Sequence, residues 1–333
     1  MKLHLFLLSS VLLAAPLATE VRNKGWILFS AQTEKGDWDL FVMRPDGSQR
    51  HNITNTPNAN EIGGRYSPDG KRILFRRIQQ GVVIKHDKWG ALGQLTFANS
   101  DGSGAAQYGG DGEFPWAVWG PDGKQMATLT KTGIEIWDIE AKKIVRILDR
   151  KGIYQQLFWS PDGKYFTGPA NLYGENWTVI RLNAITGEAN PVNKFQNCTA
   201  DWFPDSKRVI FSSRPANQED ADPTLREAAK QKPSYGWTQL FMANGDGTGL
   251  KLLYGEDGRH IYGGATSPDG VYVIFTRSPI DGITKSPMGL IRLKDAPIIG
   301  GESKALRKVH PDAHKGPLLP LPEGFEPHWT YAK

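Results

Sequence analysis

Cysteine, long hydrophobic runs and blocks of like charge are all scarce in this sequence. The single cysteine, Cys198, excludes an intramolecular disulfide framework and a metal site built from cysteines alone. The 40 basic and 35 acidic residues are dispersed, so the net charge of +5 does not indicate a dedicated nucleic-acid-binding protein. Beyond the amino terminus, no segment approaches the ~20 apolar residues that a membrane helix needs, and no transmembrane anchor is expected.

The one apolar stretch lies at the amino terminus. The segment 5–15 (LFLLSSVLLAA) follows Lys2 and His4, is too short to span a bilayer, and is typical of the apolar region of a secretory signal peptide. We predict that residues 1–18 are the signal peptide, although Pro16 would then occupy a cleavage position where a small residue is usual. The mature chain, 19–333, is expected to be periplasmic or secreted.

A short phrase containing Pro-Asp-Gly recurs through the rest of the chain. Proline presets φ, aspartate bonds back to the backbone and glycine takes positive φ, so each copy predicts a tight turn between two strands. The copies are spaced by roughly 50 residues, which suits four short strands per unit. The five copies are Tyr66-Ser-Pro-Asp-Gly, Trp119-Gly-Pro-Asp-Gly, Trp159-Ser-Pro-Asp-Gly, Trp202-Phe-Pro-Asp-Ser and Thr266-Ser-Pro-Asp-Gly.

The repeat predicts an all-β, six-bladed β-propeller of four-stranded blades. Five complete units leave one unpaired segment at each end, Gly25-Trp-Ile-Leu-Phe-Ser and Glu326-Pro-His-Trp-Thr. If these two segments pair, they complete a sixth blade and close the ring without a long exposed sheet edge. We therefore expect residues 19–333 to form a single propeller domain, interrupted by a short helical insertion at 214–236.

The repeats resemble those of the TolB-like propeller family. The phrases Trp-Ser-Pro-Asp-Gly-Lys and Leu40-Phe-Val-Met-Arg-Pro-Asp-Gly-Ser, together with the signal peptide, carry this resemblance over nearly the whole mature chain. The resemblance implies the propeller fold rather than one function, because similar repeats also occur in propeller polysaccharide lyases and in the propeller domains of some peptidases. True TolB proteins carry an amino-terminal α/β domain, whereas here the blades begin near residue 22. Membership of a Tol-Pal envelope complex is therefore kept only as one alternative.

Candidate binding residues come from the segments that enter the central channel. With the strands of a blade lettered A to D from the axis outward, the Pro-Asp-Gly turns join A to B on one face, the turn face. The D–A and B–C connections share the opposite face, the loop face, and we predict a ligand-binding funnel there because these connections are longer and more variable. The candidate ligand-binding residues are Glu61, Arg65, Glu113, Trp116, Tyr154, Asp201, Arg259, His260, Tyr262, Glu326 and His328.

Other features leave alternatives open. Trp38, Trp177 and Trp237 begin equivalent strands and could form a sugar-stacking rim, although packing between blades is the more frequent role of such residues. The helical insertion could be a lid or a tolerated surface excursion. Repeating aromatic residues ahead of the turn, such as Trp119, are expected in the core.

The leading functional hypothesis is a non-catalytic binding protein for a protein, peptide or glycan, acting as a monomer without cofactor or metal. The alternative is a propeller lyase or hydrolase for acidic polysaccharides. In that case His260, Tyr262 and His328 would form the catalytic centre, with a base, a tyrosine acid and a nearby cation. Such a centre requires the three side chains to converge on one substrate position, whereas a binding platform does not.

Overall fold

The computed structural model describes residues 16–82, 84, 92–109, 113–153, 156–173, 177–193, 197–214, 238–256, 259–279, 285–295 and 317–332. These residues form six antiparallel sheets, each with a four-stranded path, which are the six blades of a β-propeller. The predicted fold class and blade number are confirmed. The predicted helical insertion, together with Tyr154 and Trp237, lies outside the described residues, apart from Arg214.

The first three blades, numbered along the chain, contain the following strands from the innermost to the outermost. Blade 1 contains β25 (Phe325–Thr330), β1 (Trp26–Gln32), β2 (Trp38–Met43) and β3 (His51–Asn52). Blade 2 contains β4 (Ala59–Tyr66), β5 (Arg72–Gln79), β6 (Gly93–Asn99) and β7 (Ala106–Gln107), with β8 (Glu113–Phe114) also pairing with β6. Blade 3 contains β9 (Trp116–Trp119), β10 (Gln125–Leu129), β11 (Ile134–Asp138) and β12 (Lys143–Leu148).

The remaining three blades follow the same order without interruption. Blade 4 contains β13 (Phe158–Trp159), β14 (Tyr165–Ala170), β15 (Thr178–Asn183) and β16 (Ala189–Asn193). Blade 5 contains β17 (Ala200–Trp202), β18 (Arg208–Ser213), β19 (Gln239–Asn244) and β20 (Lys251–Tyr254). Blade 6 contains β21 (Arg259–Thr266), β22 (Tyr272–Pro279), β23 (Pro287–Arg292), a 3-10 helix (Leu293–Asp295) and β24 (Leu319–Glu323).

The ring closes in blade 1, as the two unpaired sequence segments predict. Strand β25 pairs antiparallel with β1, and Ile27 lies opposite Trp329. The last strand of the chain thus supplies the innermost strand of the first blade. This arrangement removes the sheet edges that an open ring would leave at its two ends.

The Pro-Asp-Gly turns have the predicted local chemistry. In blade 2, Ser67 Oγ donates to Asp69 Oδ1 at 2.6 Å, the backbone N–H of Lys71 donates to the same oxygen at 3.1 Å, and Gly70 has φ of 69°. The Asp-Gly-Ser turns join strands C and D on the same face of the propeller. The turn face is therefore built from short, internally bonded hairpins.

Residues 16–24 lie against the seam between blades 6 and 1. Residues 16–21 are helical, and Leu17 and Val21 are buried in one cluster with side chains of both blades. Glu20 accepts hydrogen bonds from Tyr272 and Arg292. The signal-peptide boundary predicted after Ala18 would fall inside this helix and would separate Leu17 from the core that it fills. No helix among the described residues is long and apolar enough to cross a membrane.

Candidate functional site

The central channel of the propeller opens into a cavity on the turn face. The cavity has a volume of about 520 Å³. It is built from three tiers of residues that occupy equivalent repeat positions on the six blades. Because every blade contributes the same three positions, the composition of each tier follows directly from the repeat alignment.

The three tiers succeed one another from the floor of the cavity to its rim. The floor is formed by Arg65, Val118, Phe158, Asp201, Ala265 and His328. The wall is formed by the next residue in each blade, namely Tyr66, Trp119, Trp159, Trp202, Thr266 and Trp329. The rim is formed by the residues two positions further on, namely Pro68, Pro121, Pro161, Pro204, Pro268 and Tyr331. We call this site the turn-face cavity.

The floor is polar on one side and apolar on the other. Val118 and Phe158 come from the neighbouring blades 3 and 4, whereas Asp201, His328 and Arg65 come from blades 5, 1 and 2. Blade 6 contributes only Ala265 to the floor. To the wall it contributes Thr266, whereas the other five blades contribute aromatic residues there. The smaller side chains of blade 6 leave space between Asp201 and His328.

The next layer of the channel lies two residues deeper along the inner strands. The equivalent positions there hold four buried side chains, those of Trp116, Gln156, Thr199 and Glu326. Trp116 Nε1 donates to the carbonyl of Leu157 at 2.7 Å, and the Gln156 amide donates to the Glu326 carboxylate. We call this layer the closed tier.

Two arginines fix the closed tier to the cavity floor. Arg65 Nη1 donates to the carbonyls of Gly64 at 2.8 Å and Glu326 at 3.2 Å, and Arg65 Nη2 lies 3.7 Å from Glu326 Oε2. The guanidinium carbon atoms of Arg65 and Arg76 lie 5.0 and 5.2 Å from the ring centre of Trp116. Burial lowers the pKa of Arg76 to about 10, so it stays charged at neutral pH. The carboxylate of Glu326 thus faces two buried cations.

Asp201 is the acidic residue of the cavity floor. The residue is partly exposed, and Oδ1 accepts the backbone N–H of Trp202 at 2.6 Å. Burial raises the pKa of Asp201 to about 7, although the charge of Arg65 partly offsets this effect. Among the residues that the structure describes, no cation lies within salt-bridge distance of Asp201.

His328 contributes a neutral imidazole to the floor. Its Nδ1 accepts the backbone N–H of Tyr66 at 3.0 Å, so the proton of the neutral ring resides on Nε2. Burial lowers the pKa of His328 to about 3, and the neighbouring charge of Arg65 acts in the same direction. The ring is therefore a hydrogen-bond donor at neutral pH and carries no charge.

The structure brings three of the sequence-predicted site residues to the cavity and two to the layer below it. Arg65, Asp201 and His328 line the floor, and Trp116 and Glu326 lie in the closed tier. The cavity lies on the turn face, and the funnel expected on the loop face stays a prediction. Residues two positions apart on an inner strand reach different depths of the channel, which places Arg65, Asp201 and His328 in one layer and Trp116 and Glu326 in the next.

The remaining predicted residues that the structure describes lie toward the loop face. Glu61 is buried, accepts from Arg77 Nε at 3.0 Å, and has its pKa raised to about 7 by burial. Arg259 Nε lies 3.1 Å from Glu256 Oε1. Glu113 lies opposite Gln94 in the pairing of β8 with β6. Tyr154 lies outside the described residues.

His260 and Tyr262 occupy structural positions. His260 Nδ1 accepts the backbone N–H of Thr238 at 3.0 Å, just as Asn60 Oδ1 accepts that of Trp38 at 2.9 Å at the equivalent position of blade 2. Tyr262 is buried, and burial raises its pKa. His260 lies at the loop-face end of β21, whereas His328 lies near the turn-face end of β25. The three residues of the hypothetical catalytic centre are thus divided between the two ends of the channel.

Sequence reasoning missed Arg76, Ala265 and Thr266. Arg76 lies on the second strand of blade 2, whereas the predicted site residues come from segments that lead into the innermost strand of a blade. Thr266 was detectable, because it replaces the aromatic residue that precedes the other Pro-Asp turns. Of the candidate aromatic rim, Trp38 is buried, Trp177 packs partly buried against the same cluster, and Trp237 lies outside the described residues.

Comparison with known proteins identifies the fold. No protein-family model and no curated protein matches the chain. TolB from Acinetobacter baumannii is similar in structure, with 15% identity, a TM-score of 0.60, and coverage of 97% of this chain and 71% of that chain. A protein described as a TolB from Agrobacterium tumefaciens has 16% identity, a TM-score of 0.58, and coverage of 90% and 98%.

The propeller architecture is also shared more widely. A chain of a nidogen/laminin complex has 10% identity, a TM-score of 0.57, and coverage of 93% of this chain and 100% of that chain. At such low identities these similarities establish the architecture and leave the ligand to be argued from the site. The fold of this chain is a TolB-like six-bladed β-propeller.

Proposed function

We propose that this protein is a binding propeller whose turn-face cavity receives a protein segment presenting a lysine or arginine side chain. The observation that carries the proposal is Asp201, a partly exposed acidic residue that has no ion-pair partner among the described residues and lies below aromatic walls. Aromatic rings and a carboxylate together favour a cation, through quadrupole attraction and charge-assisted hydrogen bonding.

An anionic ligand fits the same floor less well. Arg65 is the cation of the floor, but Nη1 donates to two carbonyl groups, Nη2 lies beside the Glu326 carboxylate, and the unpartnered Nε is buried. His328 Nε2 offers one further donor, suited to a carbonyl oxygen of the same bound segment. An acidic polysaccharide would have to be recognised without a free cation, and this observation favours the peptide over that alternative.

We also propose that the chain is exported, because it begins with a basic residue and an apolar segment typical of a signal peptide. The burial of Leu17 supports a mature chain that retains this residue. Amino-terminal sequencing of the exported protein would test the proposal, and a mature protein beginning at Thr19 would contradict the retained contact.

The ligand proposal can be tested with an array of short peptides of varied sequence and two substitutions guided by the repeat. Thr266→Trp restores the aromatic residue found at that position in other blades and narrows the space between Asp201 and His328. Val271→Lys, a matched control, restores the repeat lysine at an exposed position that does not line the cavity. Both substitutions introduce the residue that the repeat favours, so both variants should fold.

We expect bound peptides to contain lysine or arginine, and replacing that residue by norleucine should weaken binding by roughly tenfold to a hundredfold. Thr266→Trp and Asp201→Asn should lose binding, and Val271→Lys should retain it. Affinity should rise as the pH increases from 6 to 8, because Asp201 must be ionised. Selection of acidic peptides, or normal binding by Thr266→Trp, would contradict the proposal.

Parallel assays with acidic and neutral oligosaccharides separate the other functions. Binding of oligosaccharides alone would indicate a glycan receptor. Growth of ultraviolet absorbance from unsaturated uronates, lost in His260→Ala, would indicate a lyase. Either result would replace the peptide as the ligand of this propeller.

A further inference from the structure

The outer strand of blade 3 differs from the outer strands of the other blades. Strands β3 and β7 have two residues each, β16 contains Pro191, and β24 contains Pro320 and Pro322. Short length and proline are devices that protect a sheet edge from pairing with another chain. In β20, which has four residues, the last three are buried.

Strand β12 is neither short nor interrupted by proline. It has six residues and no proline, and its first five residues are exposed. The exposed fractions of Ile144, Val145 and Ile147 are 39%, 45% and 59%. Three neighbouring exposed aliphatic residues on an outer strand form an apolar surface that is unusual for a solvated edge.

An irregularity in the pairing of β12 sorts its side chains into two faces. Ile147 lies opposite Glu135 and Ile144 opposite Trp137, with a register shift at Val145. Since alternate residues of β11 point to opposite faces, Ile144 and Ile147 share one face of the blade, although they are three residues apart. Lys143 and Arg146 share the other face.

We propose that β12 pairs antiparallel with β12 of a second copy of this chain, which joins two blades into one continuous sheet. If Val145 lies opposite Arg146 of the other copy, Ile144 lies opposite Ile147 and Lys143 lies opposite Leu148. Four isoleucines then meet on one face, and no like charges are directly opposed. The edge is thus complementary to itself in both side-chain face and register.

The dimer should be weak and should respond to salt in a defined direction. One strand pair buries much less than the ~1,600 Å² of a standard interface, so dimerisation should appear only at high protein concentration. The basic residues of both copies lie on one face of the joined sheet. Added salt should screen their repulsion and strengthen the dimer.

Sedimentation equilibrium over a wide range of protein concentrations tests the proposal. The variants are Ile147→Lys, which places a cation in the four-isoleucine cluster, and Val271→Lys, a matched control at a residue of similar exposure (39%) on blade 6. Both sites are exposed, and thermal unfolding of each variant verifies that its fold is intact.

We expect a concentration-dependent dimer for the unmodified chain and for Val271→Lys, and a monomer for Ile147→Lys. A chain that remains monomeric at millimolar concentration would overturn the proposal, and would leave the edge to an extended segment of another protein. Dimerisation of Ile147→Lys, or weakening of the dimer by salt, would also overturn it. None of these outcomes depends on the turn-face cavity.

Discussion

The cavity floor and the closed tier lie only two residues apart on the same inner strands, yet they differ in how their charges are treated. In the closed tier, Glu326 faces two arginines and is bonded by Gln156. On the floor, Asp201 is partly exposed and its pKa is raised toward neutrality. In the closed tier, the Glu326 carboxylate holds neighbouring blades together. On the floor, the Asp201 carboxyl group can interact with a ligand.

The closed tier should therefore be sensitive to substitution. Trp116→Ala removes a buried ring that contacts Arg65 and Arg76, and it should lower the free energy of unfolding by about 3–5 kcal/mol. Trp159→Ala, in the cavity wall, should cost less because Trp159 is only partly buried. Urea unfolding of both variants makes the comparison, and equal losses would show that the two layers do not differ.

Glu326→Gln tests the charge of the closed tier at nearly constant volume. It leaves Arg65 and Arg76 without their shared carboxylate and should lower the free energy of unfolding by about 3–5 kcal/mol. Glu140→Gln, at an exposed position, is the control and should change stability little. A stability loss below 1 kcal/mol for Glu326→Gln would mean that the two arginines find other partners.

Two glycines with positive φ, one in the closed tier and one outside it, allow the same comparison. Gly263, in the closed tier, has φ of 57°, and an added Cβ would lie 3.2 Å from Glu326 Cα. Gly187 has φ of 71° with no atom within 4 Å of an added Cβ. Substitution by alanine should cost about 1 kcal/mol at Gly187 from backbone strain, and about 2–3 kcal/mol at Gly263, where crowding adds to it. Thermal unfolding would rank the two variants.

Asp201→Asn should have an effect on stability that depends on pH. The raised pKa of Asp201 means that its contribution to stability is complete below about pH 4. That contribution is lost as the pH rises to about 7. Since asparagine does not titrate, the stability of the variant relative to the unmodified chain should increase from pH 4 to pH 7 and then level off.

Asp205→Asn is the control, because the pKa of Asp205 is lowered whereas that of Asp201 is raised. Burial alone would raise the pKa of Asp205, but hydrogen bonds from Lys207 and Arg208 lower it. Its stabilising contribution is therefore present at neutral pH and is lost as the pH falls. Urea unfolding at several pH values should show opposite slopes for the two variants, and parallel slopes would contradict the charge assignment of the floor.

Much of the fold was predictable because each blade repeats a turn with a local mechanism. The Pro-Asp-Gly phrases gave the blade number, and the unpaired segments near Gly25 and Glu326 gave the closure. The open face of the site was not predictable in the same way. Whether Arg65 lines a cavity or a filled channel depends on Trp116 and Arg76, which are distant in sequence and meet it only in the folded ring.

The sequence predicts only some of the individual site residues correctly, because it does not show their depth in the channel. Asp201 and His328 could be proposed because they are polar residues in segments that enter the channel. His260 met the same criterion, but it serves as a backbone acceptor like Asn60, which lacks a titratable side chain. Sequence reasoning identifies polar residues near an axis, whereas the depth of each residue along the axis depends on strand register and on the bulges of the inner strands.

The most direct test of the cavity is nuclear magnetic resonance of the tryptophan indole N–H groups during titration with Nα-acetyl-lysine methylamide at pH 8. We predict shifts for Trp202 and Trp329, which flank the space left by Thr266, and no such shifts in Thr266→Trp. Equal shifts with the norleucine analogue, or shifts confined to tryptophans outside the cavity such as Trp26 and Trp38, would contradict a cation site in the turn-face cavity.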